Sequence, residues 1–404
     1  MNNIAYCIGT LEMTILKLKP FLRLQLIAFL YNFGANFIHP VTPTLILENK
    51  LPDNAFGILF ATMSLGSFMF STFWGRMSDK KSRSSVMLVS LVGYALAQLA
   101  FGLSKTMPQM LAARLIAGCF TSGTSVCLMA LIVDLSDPRE RAAHLSYYAA
   151  MVGVSSSLGY LAGGVIGIAG VLPVFYAQTV VLLVAAALVY FMLRRMDGDK
   201  PQPGTTTRRL SMRQMMQMMT LPALLFLLGV ALSNFGNYGF DNALNYYMKR
   251  ELGFTSSING VVKAAYGLIG LAANVFINRW IMKKFDVHKA LPVILILSAG
   301  SLTLATVMPT MGLFFTLNAV FFLVSSLHIP IQQALTTEGR HGDIGLLSGL
   351  FYSARFLGMI FGPLVSGFAY EHGAKIPFYT QVAAFLAAAV ITWFGYRVTR
   401  DPER

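Results

Sequence analysis

The chain has 404 residues, of which 55% are hydrophobic and only 12% are charged. Soluble domains carry about 25% charged residues, so this composition argues against a soluble enzyme and for a protein surrounded by lipid. The 31 Lys and Arg residues outnumber the 17 Asp and Glu residues, which gives a formal net charge of +14. In a soluble protein such an excess would suggest a nucleic-acid partner. In a membrane protein the first question is which side of the bilayer holds it.

Twelve apolar runs follow one another along the chain, and each is about 20 residues long, enough to cross a bilayer as an α-helix. In chain order they cover 19–46, 55–75, 84–104, 108–134, 141–169, 172–193, 219–248, 256–279, 289–308, 311–336, 345–370 and 376–397. The polar and basic stretch 194–218 separates the first six runs from the last six. We therefore predict an all-α membrane protein with a bundle at 1–193, a cytoplasmic linker at 194–218 and a second bundle at 219–404.

Lys and Arg residues are distributed unevenly between the two ends of these runs. With the N-terminus inside, the inside segments hold 23 of them and the outside loops hold 5. Because cytoplasmic segments carry the excess of Lys and Arg, we predict that both termini are cytoplasmic in a cell membrane. The surplus charge is then a topology signal, and no nucleic-acid partner is needed to explain it. The remaining three basic residues, Arg114, Lys263 and Arg355, lie within the runs.

The two parts of the chain resemble each other when the sequence is shifted by 202–203 residues. The shift places Asn32-Phe33-Gly34 on Asn234-Phe235-Gly236, Gly57 on Gly260, and Gly159 and Gly164 on Gly362 and Gly367. A nearly constant offset across separate regions indicates an internal duplication. Two pseudo-symmetric six-helix bundles suit a transporter whose halves tilt about a central site. A duplicated scaffold without transport is the alternative, and the polar residues within the runs weigh against it.

The segment after the second run reads Gly75-Arg76-Met77-Ser78-Asp79-Lys80-Lys81-Ser82-Arg83-Ser84. It resembles the major facilitator superfamily signature G-x-x-x-D-[RK]-x-G-[RK]-[RK], with Ser82 and Ser84 in place of the second glycine and the last basic residue. The resemblance implies the twelve-helix fold of that superfamily. It also implies a conformational gate formed by Gly75, Asp79 and Arg83, with Asp134 at the end of the fourth run as a further partner of Arg83. A solvated, positively charged loop is the alternative interpretation.

Two glycine-rich segments lie at corresponding places in the two parts. Residues 155–164 and 358–367 resemble the signature G-x-x-x-G-P-x-x-G-G of the drug:proton antiporters, the first with Ser155 and Tyr160 in place of glycine and proline. Small residues at this spacing let helices approach closely, so packing alone would also explain them. The helix-packing positions are Gly159, Gly163, Gly164, Gly358, Gly362, Pro363 and Gly367. Arg114-x-x-x-Gly118 resembles a further pattern of the superfamily, R-x-x-x-G, and this resemblance links Arg114 to proton coupling.

Polar residues recur on single faces of the predicted helices, at spacings of three or four residues. Asp241 is the only carboxylate well inside an apolar run, so we expect it to take and release a coupling proton. A structural pair between Asp241 and Lys263 is the alternative. Because His39 is the counterpart of Asp241 under the shift, we expect the two to face each other across a central cavity. The other proton-coupling candidates are Arg114 and His328, and the candidates for the substrate cavity are Asn32, Asn36, Tyr238, Asn245, Lys263, Gln332 and Arg355.

These observations predict a secondary active transporter rather than an enzyme. The sequence has no Walker loop, no His/Glu zinc motif and no Ser/His/Asp arrangement. Cys7, Cys119 and Cys127 have no metal-ligand spacing, so neither metal nor cofactor is expected. The resemblance implies proton-coupled efflux of small amphiphilic compounds by a monomer in the bilayer. A proton-coupled transporter of sugars, organic anions or another metabolite is the alternative, and a non-transporting receptor is a third. Three cations against one acid within the runs should disfavour dications and tolerate neutral or anionic solutes.

Overall fold

The structure is a computed structural model that describes residues 20–137, 140–193, 220–337 and 344–400. The predicted linker 194–218 lies outside these ranges. The α-helices in the described residues are α1 Pro20–Ala35, α2 Thr42–Glu48, α3 Ala55–Lys80, α4 Arg83–Leu103, α5 Met107–Asp134, α6 Arg141–Ile166, α7 Val171–Met192, α8 Leu221–Arg250, α9 Ser256–Ala272, α10 Arg279–Lys284, α11 Val287–Val307, α12 Met311–Ser325, α13 His328–Thr337, α14 Ile344–Tyr370 and α15 Ile376–Arg400.

Eleven helical segments within the described ranges are long and apolar enough to cross a membrane. They correspond to the last eleven of the twelve predicted runs. A π-helical turn at Ala273–Asn278 joins α9 to α10, so that Ser256–Lys284 forms one continuous span. Many of their large apolar side chains face outward, such as Phe276 at 73% exposure. Such a surface is expected where lipid replaces water as the solvent.

The first predicted run, 19–46, is broken into two helices. The helix α1 ends at Ala35 and α2 begins at Thr42, and tighter turns lie between them, in which the Phe37 and Val41 amides donate to carbonyls three residues earlier. Pro40 lies inside this stretch, and a proline has no N–H with which to continue a helix. Neither piece alone has the length of a span. The tenth run is also interrupted, between α12 and α13, but Met311–Thr336 as a whole is one of the eleven spans.

Side chains cap the N-terminal ends of several helices. Ser82 accepts from the Ser85 amide at 3.2 Å and begins α4, and Thr255 accepts from the Ile258 amide at 3.4 Å and begins α9. Asp286 does the same for α11 through the His288 amide at 2.9 Å. These hydrogen bonds satisfy amides that have no partner within the helix.

The helices pack together in the following pairs. The helix α3 packs against α5 and α14, and α6 packs against α1 and α9. The helix α4 packs against α5 and α7, while α8 packs against α14 and α15. We call the side where α7 ends at Met192 and α8 begins at Leu221 the linker side. The other side, where α3 begins at Ala55, is called the opposite side.

Candidate functional site

A cavity of about 870 Å³ lies among α5, α6, α8, α9, α12, α13 and α14. Its wall reaches the linker-side ends of these helices at Met129, Leu145 and Thr336. Its deepest polar residues, Asp241 and Lys263, lie closer to the opposite side, because α8 runs toward that side and α9 runs away from it. The cavity is therefore positioned to exchange solutes with the linker side.

Asp241 and Lys263 form an ion pair in the cavity wall. Lys263 Nζ lies 3.0 Å from Asp241 Oδ1 and 2.9 Å from Asp241 Oδ2, so the ammonium group bridges both carboxylate oxygens. The Lys263 side chain is 6% exposed and that of Asp241 is 31% exposed. Two charges in a poorly solvated place depend strongly on each other, because removing one leaves the other uncompensated. The pair that the sequence offered as an alternative is thus present in the geometry.

Tyr160 lies between this pair and His39. The Lys263 ammonium is 5.1 Å from the centre of the Tyr160 ring, and the His39 and Tyr160 rings meet edge-to-face at a centroid distance of 5.5 Å. His39 and Asp241 were expected to face each other across a central cavity; Asp241 lies in the cavity wall, and His39 lies outside the wall and is linked to the ion pair through Tyr160. Tyr160 was not among the predicted site residues. The available signal was its place at the proline of the antiporter signature.

Arg355 on α14 supplies the second cation of the cavity wall. Its Nη2 donates to the Tyr238 hydroxyl at 3.0 Å, and its buried Nε has no hydrogen-bond partner. No carboxylate of the described residues lies within 4 Å of this guanidinium group. Tyr238 lies one turn before Asp241 on α8, so the two polar groups of this helix face the same cavity.

Arg114 lies in a different place. Its guanidinium carbon is 3.8 Å from the centre of the Phe101 ring, and Nη1 contacts the Met63 sulfur at 3.3 Å. The residue is 6% exposed and is absent from the wall of the cavity described above. Stacking on an aromatic face stabilises a cation in this environment. Arg114 therefore belongs to the packing of α3, α4 and α5.

Several of the predicted cavity residues, and the proton-coupling candidate His328, do not line the cavity. Gln332 donates to the Ser233 hydroxyl at 2.8 Å, and His328 Nδ1 contacts the Ser325 carbonyl, both in fully buried positions. Asn36 donates to the Asn32 carbonyl at 2.7 Å and to the Ser156 hydroxyl at 3.0 Å. Asn32 and Asn245 likewise donate to backbone carbonyls, those of Ala28 and His39. Of the seven predicted cavity residues, the wall contains Tyr238, Lys263 and Arg355.

The residues of the predicted gate meet on the linker side. Arg83 Nη1 lies 2.7 Å from Asp134 Oδ2, and Arg83 Nη2 lies 3.9 Å from Asp79 Oδ1. Arg83 thus holds the end of α5 against the junction of α3 and α4. Gly75, one turn before Asp79, has room for a side chain, since a Cβ there would come no closer than 3.8 Å to Val126. The sharing of Arg83 between two carboxylates is the geometry that the sequence suggested.

The glycines of the two signature segments lie at tight helix crossings. A Cβ at Gly159 or Gly163 would lie 2.3 or 2.0 Å from carbonyl oxygens of α1 or the turn after it, those of Phe33 and Phe37. Two glycines of the α14 segment face α8. A Cβ at Gly358 would lie 2.5 Å from the Ala231 oxygen, and one at Gly362 would lie 2.3 Å from the Phe235 oxygen. These positions require glycine because backbone lies where a side chain would go.

Two further crossings obey the sequence repeat. A Cβ at Gly57 on α3 would lie 2.0 Å from the Pro363 oxygen and 3.0 Å from the Gly367 Cα on α14. A Cβ at Gly260 on α9 would lie 2.5 Å from the Tyr160 oxygen and 2.9 Å from the Gly164 Cα on α6. We call these contacts the α3–α14 seam and the α6–α9 seam. Each residue of one seam is 203 positions from its counterpart in the other.

Polar contacts close the opposite side around these seams. The Tyr246 hydroxyl donates to Asp53 Oδ1 at 2.6 Å, and Arg250 Nε lies 3.5 Å from the same oxygen. Asn245 donates to the His39 carbonyl at 2.7 Å, and Ser257 donates to the Gly164 carbonyl at 3.0 Å. Asp53 was not among the predicted site residues, because a carboxylate in a loop carries no local signal of a partner almost 200 residues away.

Comparison with known proteins agrees with this architecture. The family model described as Major Facilitator Superfamily matches residues 24–338 and, in a second match, residues 226–404. Multidrug resistance protein 1 of Bacillus subtilis (strain 168) is 23% identical over 368 residues, which cover 90% of this chain and 94% of that protein. Tetracycline resistance protein, class B, of Escherichia coli is 24% identical over 358 residues, 87% of this chain and 88% of that protein.

A solved structure shows the same fold. The crystal structure of a bacterial homologue of the human lysosomal transporter Spinster, in an inward-facing and occupied conformation, superposes with a TM-score of 0.77 at 16% identity, over 95% of this chain and 98% of that one. Eleven apolar helical spans around a cavity within the described residues define a multi-pass helical membrane protein with a site for small molecules. The family match makes the assignment specific. The chain belongs to the major facilitator superfamily.

Proposed function

We propose that this protein is a proton-coupled efflux transporter of small amphiphilic compounds that works by alternating access. The observation that carries the proposal is the Asp241–Lys263 pair in the wall of a cavity that reaches the linker side. A carboxylate that can exchange its partner for a proton offers a way to link the proton gradient to the cavity. The names of the similar multidrug and tetracycline resistance proteins favour export.

The architecture of the proposal has twelve spans in two bundles, at 1–193 and 219–404. The helices α1 and α2 together form the first of the twelve spans. The bundles meet at the α3–α14 and α6–α9 seams. The excess of Lys and Arg supports a cytoplasmic linker side, with both termini inside a cell membrane. The working unit is a monomer in the bilayer, and its partners are a small-molecule substrate and protons.

The present conformation is then open to the cytoplasm. The Asp53 contacts and both seams close the opposite side, while the cavity wall extends to the cytoplasmic helix ends. Alternating access requires that these contacts separate when the cytoplasmic side closes. We assign the gate of Gly75, Asp79, Arg83 and Asp134 to stabilising that second conformation, in which the cytoplasmic ends of the bundles meet.

Asp241 is assigned as the principal proton acceptor. Protonation removes its charge and frees Lys263, which changes the charge of the cavity wall by one unit. His39 is the second candidate, because Tyr160 connects it to the same ammonium group. Arg114 and His328 lie outside the cavity wall and would act on the coupling through packing only.

Transport into proteoliposomes tests the proposal. The full chain is reconstituted and the flux of radiolabelled tetracycline is measured with and without a pH gradient. Wild type should accumulate the compound only with the gradient. Asp241→Asn should abolish the gradient-driven part, whereas the exposed carboxylate variant Glu371→Gln should behave as wild type. Flux that ignores the gradient in wild type, or full gradient-driven flux in Asp241→Asn, would refute the proton role.

A further inference from the structure

The charges of the cavity wall do not balance. Asp241, Lys263 and Arg355 are the charged residues among those that line it. Lys263 contacts both oxygens of Asp241, so these two charges compensate each other. Arg114, which the sequence counted with the intramembrane cations, lies outside the wall. One positive charge therefore remains, on Arg355.

The guanidinium group of Arg355 has donors left over. A guanidinium carries five N–H donors in a planar fork that fits a carboxylate. Its recorded hydrogen bond uses Nη2 and the Tyr238 hydroxyl, and its buried Nε has no partner. A cation in a poorly solvated place without a counter-charge is costly. An anion from solution would relieve that cost.

The rest of the wall suits an apolar or aromatic body. Aromatic side chains line it from α6, α8, α9, α12 and α14, namely Tyr148, Tyr160, Tyr238, Tyr266, Phe322, Phe351 and Tyr352. Such walls bury an apolar ligand while a few polar groups fix its orientation. The volume of about 870 Å³ lies within the usual range for sites that take small organic molecules.

We propose that the cavity binds organic acids, in which an aromatic or aliphatic body carries one carboxylate that pairs with Arg355. A cationic compound would add a second positive charge beside Arg355. A neutral compound would leave the guanidinium group uncompensated. The inference rests on the proposed function for the claim that the bound acid is transported, and the binding site itself is tested without transport.

The test compares three ligands that share a naphthalene ring and differ in charge: 2-naphthoate, 2-naphthamide and 2-naphthylmethylammonium. Calorimetric titration of the full chain in detergent micelles, near neutral pH, measures their affinities. Wild type should bind the acid at least about tenfold more tightly than the amide, as expected for a hydrogen-bonded charge pair. The ammonium compound should bind most weakly.

Variants at Arg355 locate the effect. Arg355→Gln should bring the affinity for the acid down to that for the amide and leave the amide unchanged, whereas Arg355→Lys should keep part of the preference. The exposed arginine variant Arg279→Gln should retain the wild-type preference. If Arg355→Gln does not fold, the three wild-type affinities and the lysine variant still decide the question.

Four results would overturn the inference: no saturable binding of the acid, equal wild-type affinities for acid and amide, tighter binding of the ammonium compound, or equal loss of acid and amide in Arg355→Gln. The outcomes separate the two proposals. If tetracycline flux depends on the gradient but the acid and the amide bind equally well, the transporter proposal stands and the anion site is refuted. If the acid binds more tightly than the amide but no flux is observed, the anion site stands and the transporter proposal is refuted.

Discussion

Gly57→Ala should shift the protein away from the conformation described here. The new Cβ would lie 2.0 Å from the Pro363 oxygen, 2.9 Å from the Pro363 carbonyl carbon and 3.0 Å from the Gly367 Cα. All three are backbone atoms, so no side chain can turn aside to make room. The α3–α14 seam must open instead. If the seam closes only when the opposite side is shut, the substitution favours the conformation that is open there.

The size of the shift follows from the cost of overpacking. Extra methylene groups forced into tight packing cost about 1–3 kcal/mol. Since about 1.4 kcal/mol changes an equilibrium tenfold, the ratio of closed to open molecules should fall by about 5-fold to 150-fold. Gly260→Ala at the α6–α9 seam should act in the same direction, with its Cβ 2.5 Å from the Tyr160 oxygen.

Distances between two spin labels on the opposite side report the shift. Exposed Glu48 after the first run and exposed Glu371 at the end of α14 are replaced by labelled cysteines. The background has Cys7, Cys119 and Cys127 replaced by alanine. Electron–electron double resonance should show one short distance in the parent protein. It should show a growing longer component in the Gly57→Ala variant.

Two glycines provide matched controls. Gly118→Ala is as crowded as Gly57→Ala, with its Cβ 2.0 Å from the Met63 oxygen, but it lies between α3 and α5 within one proposed bundle. It should lower thermal stability without changing the label distances. Gly300→Ala meets no heavy atom within 4 Å and should change neither. Unchanged distances in Gly57→Ala, or the same change in Gly118→Ala, would refute the assignment of the seam.

Three further predictions concern the ion pairs. Asp134→Asn removes the 2.7 Å ion pair with Arg83. Because Asp134 is 46% exposed, the loss of stability should stay below about 1 kcal/mol. Thermal unfolding in detergent measures this loss, and a larger value would contradict the prediction. Lys263→Gln leaves Asp241 unpaired, so it should lower the unfolding temperature more than the double variant Asp241→Asn/Lys263→Gln does. A loss in the double variant equal to the sum of the two single losses would show that the pair is uncoupled. Asp241→Asn should tighten 2-naphthoate binding, because it removes the negative charge from the cavity wall and leaves Lys263 without its carboxylate partner; calorimetric titration at a single pH measures the change. Equal or weaker binding of 2-naphthoate in Asp241→Asn would exclude that role.

The sequence predicted the helices and their crossings well, for a physical reason. Each span must satisfy its backbone groups internally, so a long apolar run in lipid has one available structure. The signature glycines mark places where backbones touch, and this requirement can be read from the spacing of small residues along the sequence. The first run failed as a single helix because of Pro40, whose effect depends on whether neighbouring helices tolerate the break. That information is tertiary and does not lie in the run itself.

The cavity was harder to predict than the helices. Polar residues such as His328 and Gln332 share a helix face with the same spacing as true wall residues, but they point between helices within the protein. Periodicity identifies a polar face and does not say whether that face meets another helix or a cavity. Tyr160 illustrates the converse, because it resembles an ordinary apolar position and lies between His39 and the Asp241–Lys263 ion pair.

The negative charge proposed for the substrate also constrains how proton movement can be coupled to substrate movement. A carboxylate held by Arg355 would share one cavity with the carboxylate of Asp241, and like charges in a poorly solvated place repel. A proton on Asp241 and an acid on Arg355 should therefore favour each other at equilibrium, and by reciprocity each raises the affinity for the other. That reciprocity governs affinities and does not fix which loaded forms change conformation. Exchange of an acid for a proton then requires that the carrier holding both does not cross between its two conformations, so the direction of coupling is set by rates. Affinity in the Asp241→Asn variant reports on Asp241, affinity as a function of ligand charge reports on Arg355, and only flux measurements report on which loaded form moves.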